Sequence, residues 1–224
     1  MEKSELDFSG SWKKIRVLGK EKTPTIYLFR HAQTYFNRDR RFTGWKDSRL
    51  TPFGKEQAKN IAKKLKGKKI DAAFQTSLSR SRDTLRAVLK FHPECRRRFT
   101  DDRMIERSYG KLMGMSHKVY EKTHSADGLQ KIRRSYDYPP PGGESIVTVA
   151  DRVGPFLTEL DARFASDPDR TEFVIAHGGS IHALRFLIER WTYKEADRQY
   201  DKGLLPNCGM VVYQYLPGTG FVPI

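Results

Sequence analysis

Apolar and polar positions fall into two alternating periods along the chain, and the switches between them predict a sequence of strands and helices. After Pro24 the run TIYLF (25–29), β-branched and aromatic, predicts a buried strand. Thr51 and Pro52 then form a helix start, with a hydroxyl placed to cap and a proline at the first helical position, where its missing N–H costs nothing. Ala58, Ile61, Ala62 and Leu65 follow at helical spacing, and Gly67 is a stop. IDAAFQTS (70–77) predicts a second strand and LSRSRDTLRAVLKF (78–91) a second helix. From Ser145 the helical period returns through Ile146, Val149, Val153, Phe156, Leu157 and Leu160. EFVIAHGG (172–179) then reads as a strand, SIHALRFLIERW (180–191) as a helix and GMVVYQY (209–215) as a final strand.

That alternation predicts an α/β fold: a mostly parallel central sheet with right-handed crossovers and helices on both faces. The stretch 99–143, rich in Arg, Tyr, Gly and Pro, lacks the apolar content for a core of its own and is expected as an irregular or helical insertion over one end of the sheet. Residues 1–24 read as an N-terminal extension, within which WKKIRVL (12–18) has the composition of a short strand, and 25–224 as one folded domain. Arg96, Arg97 and Arg98 are expected in a solvated loop.

Composition narrows the partners. At 224 residues the chain suits one sizeable domain. Lys and Arg total 42 against 27 acids, a formal charge of +15 that attracts polyanions, whether nucleic acid, anionic membrane or phosphorylated metabolites. Many lysines lie on a predicted helix face, KEQAKNIAKKLKGKK (55–69), without interleaved stacking aromatics, which favours solvation over a specific nucleic-acid footprint. Cys95 and Cys208 are far apart and outside any CxxC spacing, so neither a disulfide framework nor a zinc site is expected. No apolar run reaches membrane-spanning length, and the first twenty residues lack the apolar core of a presequence. The expectation is a cytoplasmic protein with no membrane partner.

Three predicted strands end in polar groups that meet if the sheet is parallel: Arg30 and His31; Thr76, Ser77 and Arg80; and His177 with Gly178 and Gly179. Two guanidiniums among two histidines form an anion site, and phosphate is its natural occupant. Like charge disfavours the proton on a histidine placed there, leaving a lone pair for attack on phosphorus. His31 is the candidate nucleophile, Arg30, Arg80 and His177 stabilise phosphoryl oxygens, and no metal is required. The Gly-Gly-Ser turn after His177 adds backbone N–H groups suited to an anion. Glu106 in MIERSYG is the candidate general acid and base, although spacing alone does not place it beside His31, and a local ion pair with Arg107 is the competing reading. His92, His124 and His182 match no motif.

These residues carry a resemblance. FRHAQTYFNRDRRFTGWKDSRLTPFGKEQA (29–58) resembles the opening of the cofactor-dependent phosphoglycerate mutases of the histidine phosphatase superfamily. The similarity continues in TSLSRSRDT, ERSYGKLMG, RRSYDYPPPGGES and VIAHGGS, over about residues 25–215. It implies the mutase-like fold, phosphorylation of His31, and proton donation by Glu106. It implies substrate contacts from Asn37, Thr43 and Gly44, and from Tyr109, Arg133 and Arg134. It further implies 2,3-bisphosphoglycerate as phosphoryl primer, a glycolytic interconversion of 3- and 2-phosphoglycerate, and a homodimer or homotetramer. Departures are Ala32 in place of Gly, His117 beside Lys118 where mutases carry a lysine, HGGS for HGNS, and LPNCG near the end. HGGS and NCG look more like the phosphatase branches, so a phosphatase that discharges phospho-His31 to water is the alternative. A third reading is a non-catalytic protein that binds polyanions through its basic surface.

Overall fold

The computed structural model describes residues 24–201 and 204–224; the WKKIRVL segment lies outside them. Strands β1 (Thr25–Arg30), β2 (Ala72–Gln75), β3 (Arg97–Thr100), β4 (Thr171–Ala176), β5 (Met210–Leu216) and β6 (Gly220–Pro223) form one sheet in the order β3-β2-β4-β1-β5-β6. β3, β2, β4 and β1 are parallel, while β5 and β6 run antiparallel to their neighbours. Alternation along each strand feeds two cores. Ile26, Leu28, Phe74 and Val174 face α5 (Ile146–Ser166) and α6 (Gly178–Ile188), whereas Phe29, Ala73, Phe173 and Ile175 face α2 (Pro52–Leu65) and α3 (Ser79–Leu89). The α/β sheet with helices on both faces is therefore observed.

Local signals for α2 hold in detail. The Thr51 hydroxyl accepts the Gly54 N–H at 2.9 Å, Pro52 opens the helix, and Gly67 takes a φ of +84° just past its end. The strand expected over 172–179 ends earlier, because Gly178 and Gly179 open α6 with His177 at its N-cap.

The loop expected at Arg96–Arg98 is corrected: Arg97 and Arg98 belong to β3, parallel to β2 at the sheet edge. Every residue of β3 is exposed, so no apolar alternation marks it in sequence. Ladder bonds to β2 hold it, and its charges blunt the free edge. The insertion contains α4 (His117–Arg134), interrupted at Ser125 with φ +63°. It packs on Phe42 and Leu112 through Tyr120, Leu129 and Ile132. Of the unmatched histidines, His92 and His182 are buried in packing contacts with Phe173 and Trp191, and His124 stacks on Tyr120. Among the described residues no helix is long and apolar enough to cross a membrane.

Strand order places the site. β1 leaves through the short α1 (Tyr35–Arg38) and α2 to β2, beyond β4, whereas β4 leaves through α6 and α7 (Tyr193–Asp201) to β5, beyond β1. Adjacent strands whose connections run in opposite directions leave a crevice at their carboxyl ends.

Candidate active site

Arg30 ends β1, and His31 follows it into that crevice, paired with Ala176 of β4 through its backbone N–H at 3.1 Å. The His31 ring is 1% exposed and lies 5.1 Å, centroid to centroid, from the His177 ring. Nδ1 of His31 lies 2.7 Å from the Ala32 carbonyl, which can only accept, so Nδ1 carries the proton. Burial, then the charges of Arg80 and Arg30, hold the His31 pKa well below 6.5. A neutral ring with Nδ1–H has its lone pair on Nε2. Ala32, the departure from the usual glycine, has no left-handed backbone and packs among Leu50 and Ala58, so the turn does not require glycine.

The same logic fixes His177. Nε–H of the fully buried Arg80 donates to His177 Nδ1 at 3.3 Å, so Nε2 bears the proton and donates to the Thr76 hydroxyl at 2.8 Å. The His177 pKa is also held well below 6.5, chiefly by burial and then by Arg80. Arg80 further donates to the carbonyls of Gly44 (2.8 Å) and Lys46 (3.0 Å), which ties the FTGW loop to the centre. Burial lowers the Arg80 pKa to about 10, which still leaves it charged at neutral pH. Arg30 is anchored through Nη1 to the Leu205 carbonyl at 2.9 Å.

Glu106, which spacing could not place, is brought to the two histidines: one ligand-capable atom from each of His31, Glu106 and His177 lies within 4.8 Å of the others. Its Oε1 accepts the backbone N–H of Gly179 at 2.8 Å and of Arg107 at 2.9 Å. The ion pair with Arg107 does not form. That guanidinium instead donates to the carbonyls of Glu144, Ile132 and Tyr138. The Glu106 backbone is held from the other side, its carbonyl accepting Trp45 Nε1 at 2.7 Å and Arg152 Nη2 at 3.1 Å. By donor type, His31, Glu106 and His177 could take a metal ion. The two guanidiniums that depress both histidines also oppose a dication there, so the donor set fits an anion better.

Above this centre opens a cavity of about 250 Å³. It is lined by Arg30 and Glu106 from the centre, and by Asn37, Thr43, Gly44, Tyr109, His117, Arg133 and Gly179 among the sequence candidates. Arg80, His177 and Gly178 are buried behind it. The side chain of Arg134 lies outside the described part of the structure. Arg40 and Arg41 join the lining as well. His117 has a pKa lowered to about 4 by burial and by Arg133 and Arg40, so it faces the cavity uncharged near neutrality. Sequence reasoning misses Asn207, which lines the cavity, and Trp45, Arg152 and Glu144, which support Glu106 or its neighbours. FTGW, GGES and NCG contain three of these four; Arg152 has no motif to mark it.

A doubly wound sheet carrying two neutral histidines, one buried and one half-buried guanidinium and a carboxylate at its switch point defines a protein of the phosphoryl-transfer class. The chain belongs to the histidine phosphatase superfamily (branch 1), whose model matches residues 26–222. Over 175 residues it is 37% identical to a 2,3-bisphosphoglycerate-dependent phosphoglycerate mutase of Rhizobium rhizogenes, spanning 76% of this chain and 82% of that one. A protein of the same name from Cytophaga hutchinsonii is 33% identical over 205 residues, 88% of this chain and 96% of the relative. Among solved structures, mycobacterial hydrolase 1 superposes with a TM-score of 0.79 at 25% identity, covering 90% of this chain and 97% of that one. Mycobacterial glucosyl-3-phosphoglycerate phosphatase does so with a TM-score of 0.78, at the same identity and coverage.

Proposed function

We propose that this protein is a phosphoglycerate mutase that works through a phosphorylated His31. The observation that carries the reading is a buried, neutral His31 with its lone pair on Nε2, grouped within 4.8 Å with His177 and with Glu106, which lines a cavity shared with Arg40, Arg41 and Arg133. His31 Nε2 forms a bond to phosphorus as the ester P–O bond breaks. Arg30, Arg80 and His177 bear the charge on the equatorial oxygens. Glu106 gives a proton to the departing alkoxide and takes one from the hydroxyl that later receives the phosphoryl group. Asn37, Thr43, Gly44, Tyr109, Arg133 and His117 position the glycerate, with Gly178 and Gly179 at the helix N-terminus beside the phosphoryl site. Four arginines against one lining acid suit 2,3-bisphosphoglycerate, the primer named by the relatives, which supplies the phosphoryl group to His31.

The second reading, a phosphatase, draws support from His117 being uncharged, from Gly179, and from the phosphatase among the structural neighbours. One assay separates them. Interconversion of 3- and 2-phosphoglycerate in the presence of the bisphosphate supports the mutase. Release of inorganic phosphate without interconversion sinks it. An acid-labile phosphoenzyme that disappears in His31→Ala is expected in both cases.

A further inference from the structure

The turn LPNCG, a departure from the mutase pattern that the mechanism above does not use, is tied to the reaction centre. Nδ2 of Asn207 donates to the His31 carbonyl at 3.0 Å and to Oδ1 of Asn37 at 3.3 Å. The next residue, Cys208, holds a left-handed backbone (φ +58°), and its N–H is shared between the carbonyls of Arg30 at 3.1 Å and His31 at 3.3 Å. A side-chain-bearing residue adopts that conformation only where its surroundings impose it.

A carboxamide has two N–H donors and one acceptor oxygen. Both donors of Asn207 are directed at protein oxygens, so its orientation is fixed. Its Oδ1 makes no hydrogen bond among the described residues, although Asn207 lines the cavity. Asn37 is fixed in turn. Its Oδ1 receives the Thr34 N–H at 3.1 Å, the Thr34 hydroxyl at 3.0 Å and Asn207, which leaves its NH2 for the cavity. The lining guanidiniums of Arg30, Arg40, Arg41 and Arg133 can only donate. They satisfy phosphate and carboxylate oxygens but nothing that brings its own hydrogen.

We propose that Oδ1 of Asn207 is a hydroxyl subsite. It accepts a hydrogen bond from a free hydroxyl on the carbon next to the phosphate ester, and so selects hydroxylated phosphate esters over small phosphorylated acids in general. The adjacency follows from Asn207 being bonded to Asn37 and to the backbone of His31 itself. The assignment rests on the reading that the cavity takes phosphate esters at His31.

The test uses 3-phosphoglycerate and 3-phosphooxypropanoate, which lacks only the hydroxyl. Both are titrated calorimetrically into the wild type, Asn207→Ala and Asn207→Asp, with phosphoenzyme labelling alongside. The wild type is expected to bind the hydroxylated ester about fivefold more tightly, the worth of one neutral hydrogen bond. Asn207→Ala loses that preference. Asn207→Asp keeps an acceptor but cannot donate to His31 or Asn37, so it binds both esters more weakly with the preference retained. Equal binding of the two esters by the wild type, or a preference that survives in Asn207→Ala, overturns the proposal. A wild type that shows the preference yet forms no phosphoenzyme would fail the catalytic reading and leave the subsite standing.

Discussion

The backbone N–H of Gly179 donates to Oε1 of Glu106 at 2.8 Å, and a Cβ added at residue 179 would stand 2.7 Å from that same oxygen. The approach therefore needs glycine for room, since Gly179 has no left-handed φ. Gly179→Ala is expected to push the Glu106 carboxylate away from His31. Turnover of alkyl phosphates, whose alkoxide needs a proton, should fall by about 100-fold. Turnover of p-nitrophenyl phosphate, whose leaving group needs none, should fall much less. Equal losses on the two substrates would count against Glu106 as the proton donor.

Stability should depend on pH through the buried histidines. His31 and His177 are held well below 6.5 in the folded protein, so the unfolded chain takes up protons below pH 6.5 that the folded chain does not. Stability is then greatest above about pH 6.5 and falls as the pH drops, by up to about 1.4 kcal/mol per pH unit for each histidine. His117 and His182, both lowered to about 4, act in the same direction down to that pH. Glu172, raised by burial, opposes them as one group against four. Urea unfolding at pH 7.5, 6.5 and 5.5 should show a falling midpoint, with a shallower slope in His182→Gln.

Arg80 joins structure and chemistry in one side chain. Arg80→Met would fill much of its volume but leave the Gly44 and Lys46 carbonyls and His177 Nδ1 without their donor. An expected cost of about 2–3 kcal/mol follows from the two of these acceptors that are buried, His177 Nδ1 and the Gly44 carbonyl. The same variant should lose phosphoenzyme formation at any substrate concentration. Thermal denaturation and radiolabelled phosphate transfer read the two effects separately.

The apolar runs TIYLF, DAAF and FVIA, the Thr51–Pro52 cap and the polar strand ends make the sheet and the Arg30, His31, Arg80 and His177 cluster legible in the sequence. Those features are local, or follow from parallel topology. β3 was not legible, because an edge strand of Arg, Arg, Phe and Thr is held by one ladder and buries none of its residues. A helix within 99–143 was open from sequence, but the bounds of α4 were not legible, because its buried residues serve a small satellite core and its backbone breaks at Ser125. Glu106 could be named from its motif but not placed, since its position depends on Gly179, Trp45 and Arg152, distant in sequence. Asn207 was legible only as a departure from a pattern. Its two hydrogen bonds span 176 and 170 positions, and no period encodes them.

On the proposed mutase reading, the choice between glycerate and water as phosphoryl acceptor is expected to follow the charge of the cavity wall, and His117 is where that charge can be changed. At neutral pH its imidazole is uncharged, with a pKa lowered to about 4 by burial, Arg133 and Arg40, where the mutase pattern has a lysine. His117→Lys would add a permanent cation to a wall that already holds Arg40, Arg41 and Arg133. In the empty cavity the added charge is repelled by its neighbours, so a small loss of stability is expected. With a carboxylate-bearing phosphate ester bound, the same charge is attractive. KM for 3-phosphoglycerate should therefore fall about threefold to tenfold, the worth of a partly screened ion pair. A glycerate held longer beside phospho-His31 competes better with water, so the ratio of interconversion to phosphate release should rise in the same variant. Measuring both fluxes in one reaction, by enolase-coupled absorbance and by inorganic phosphate, checks this. A ratio unchanged by the substitution would show that the acceptor is selected elsewhere in the cavity.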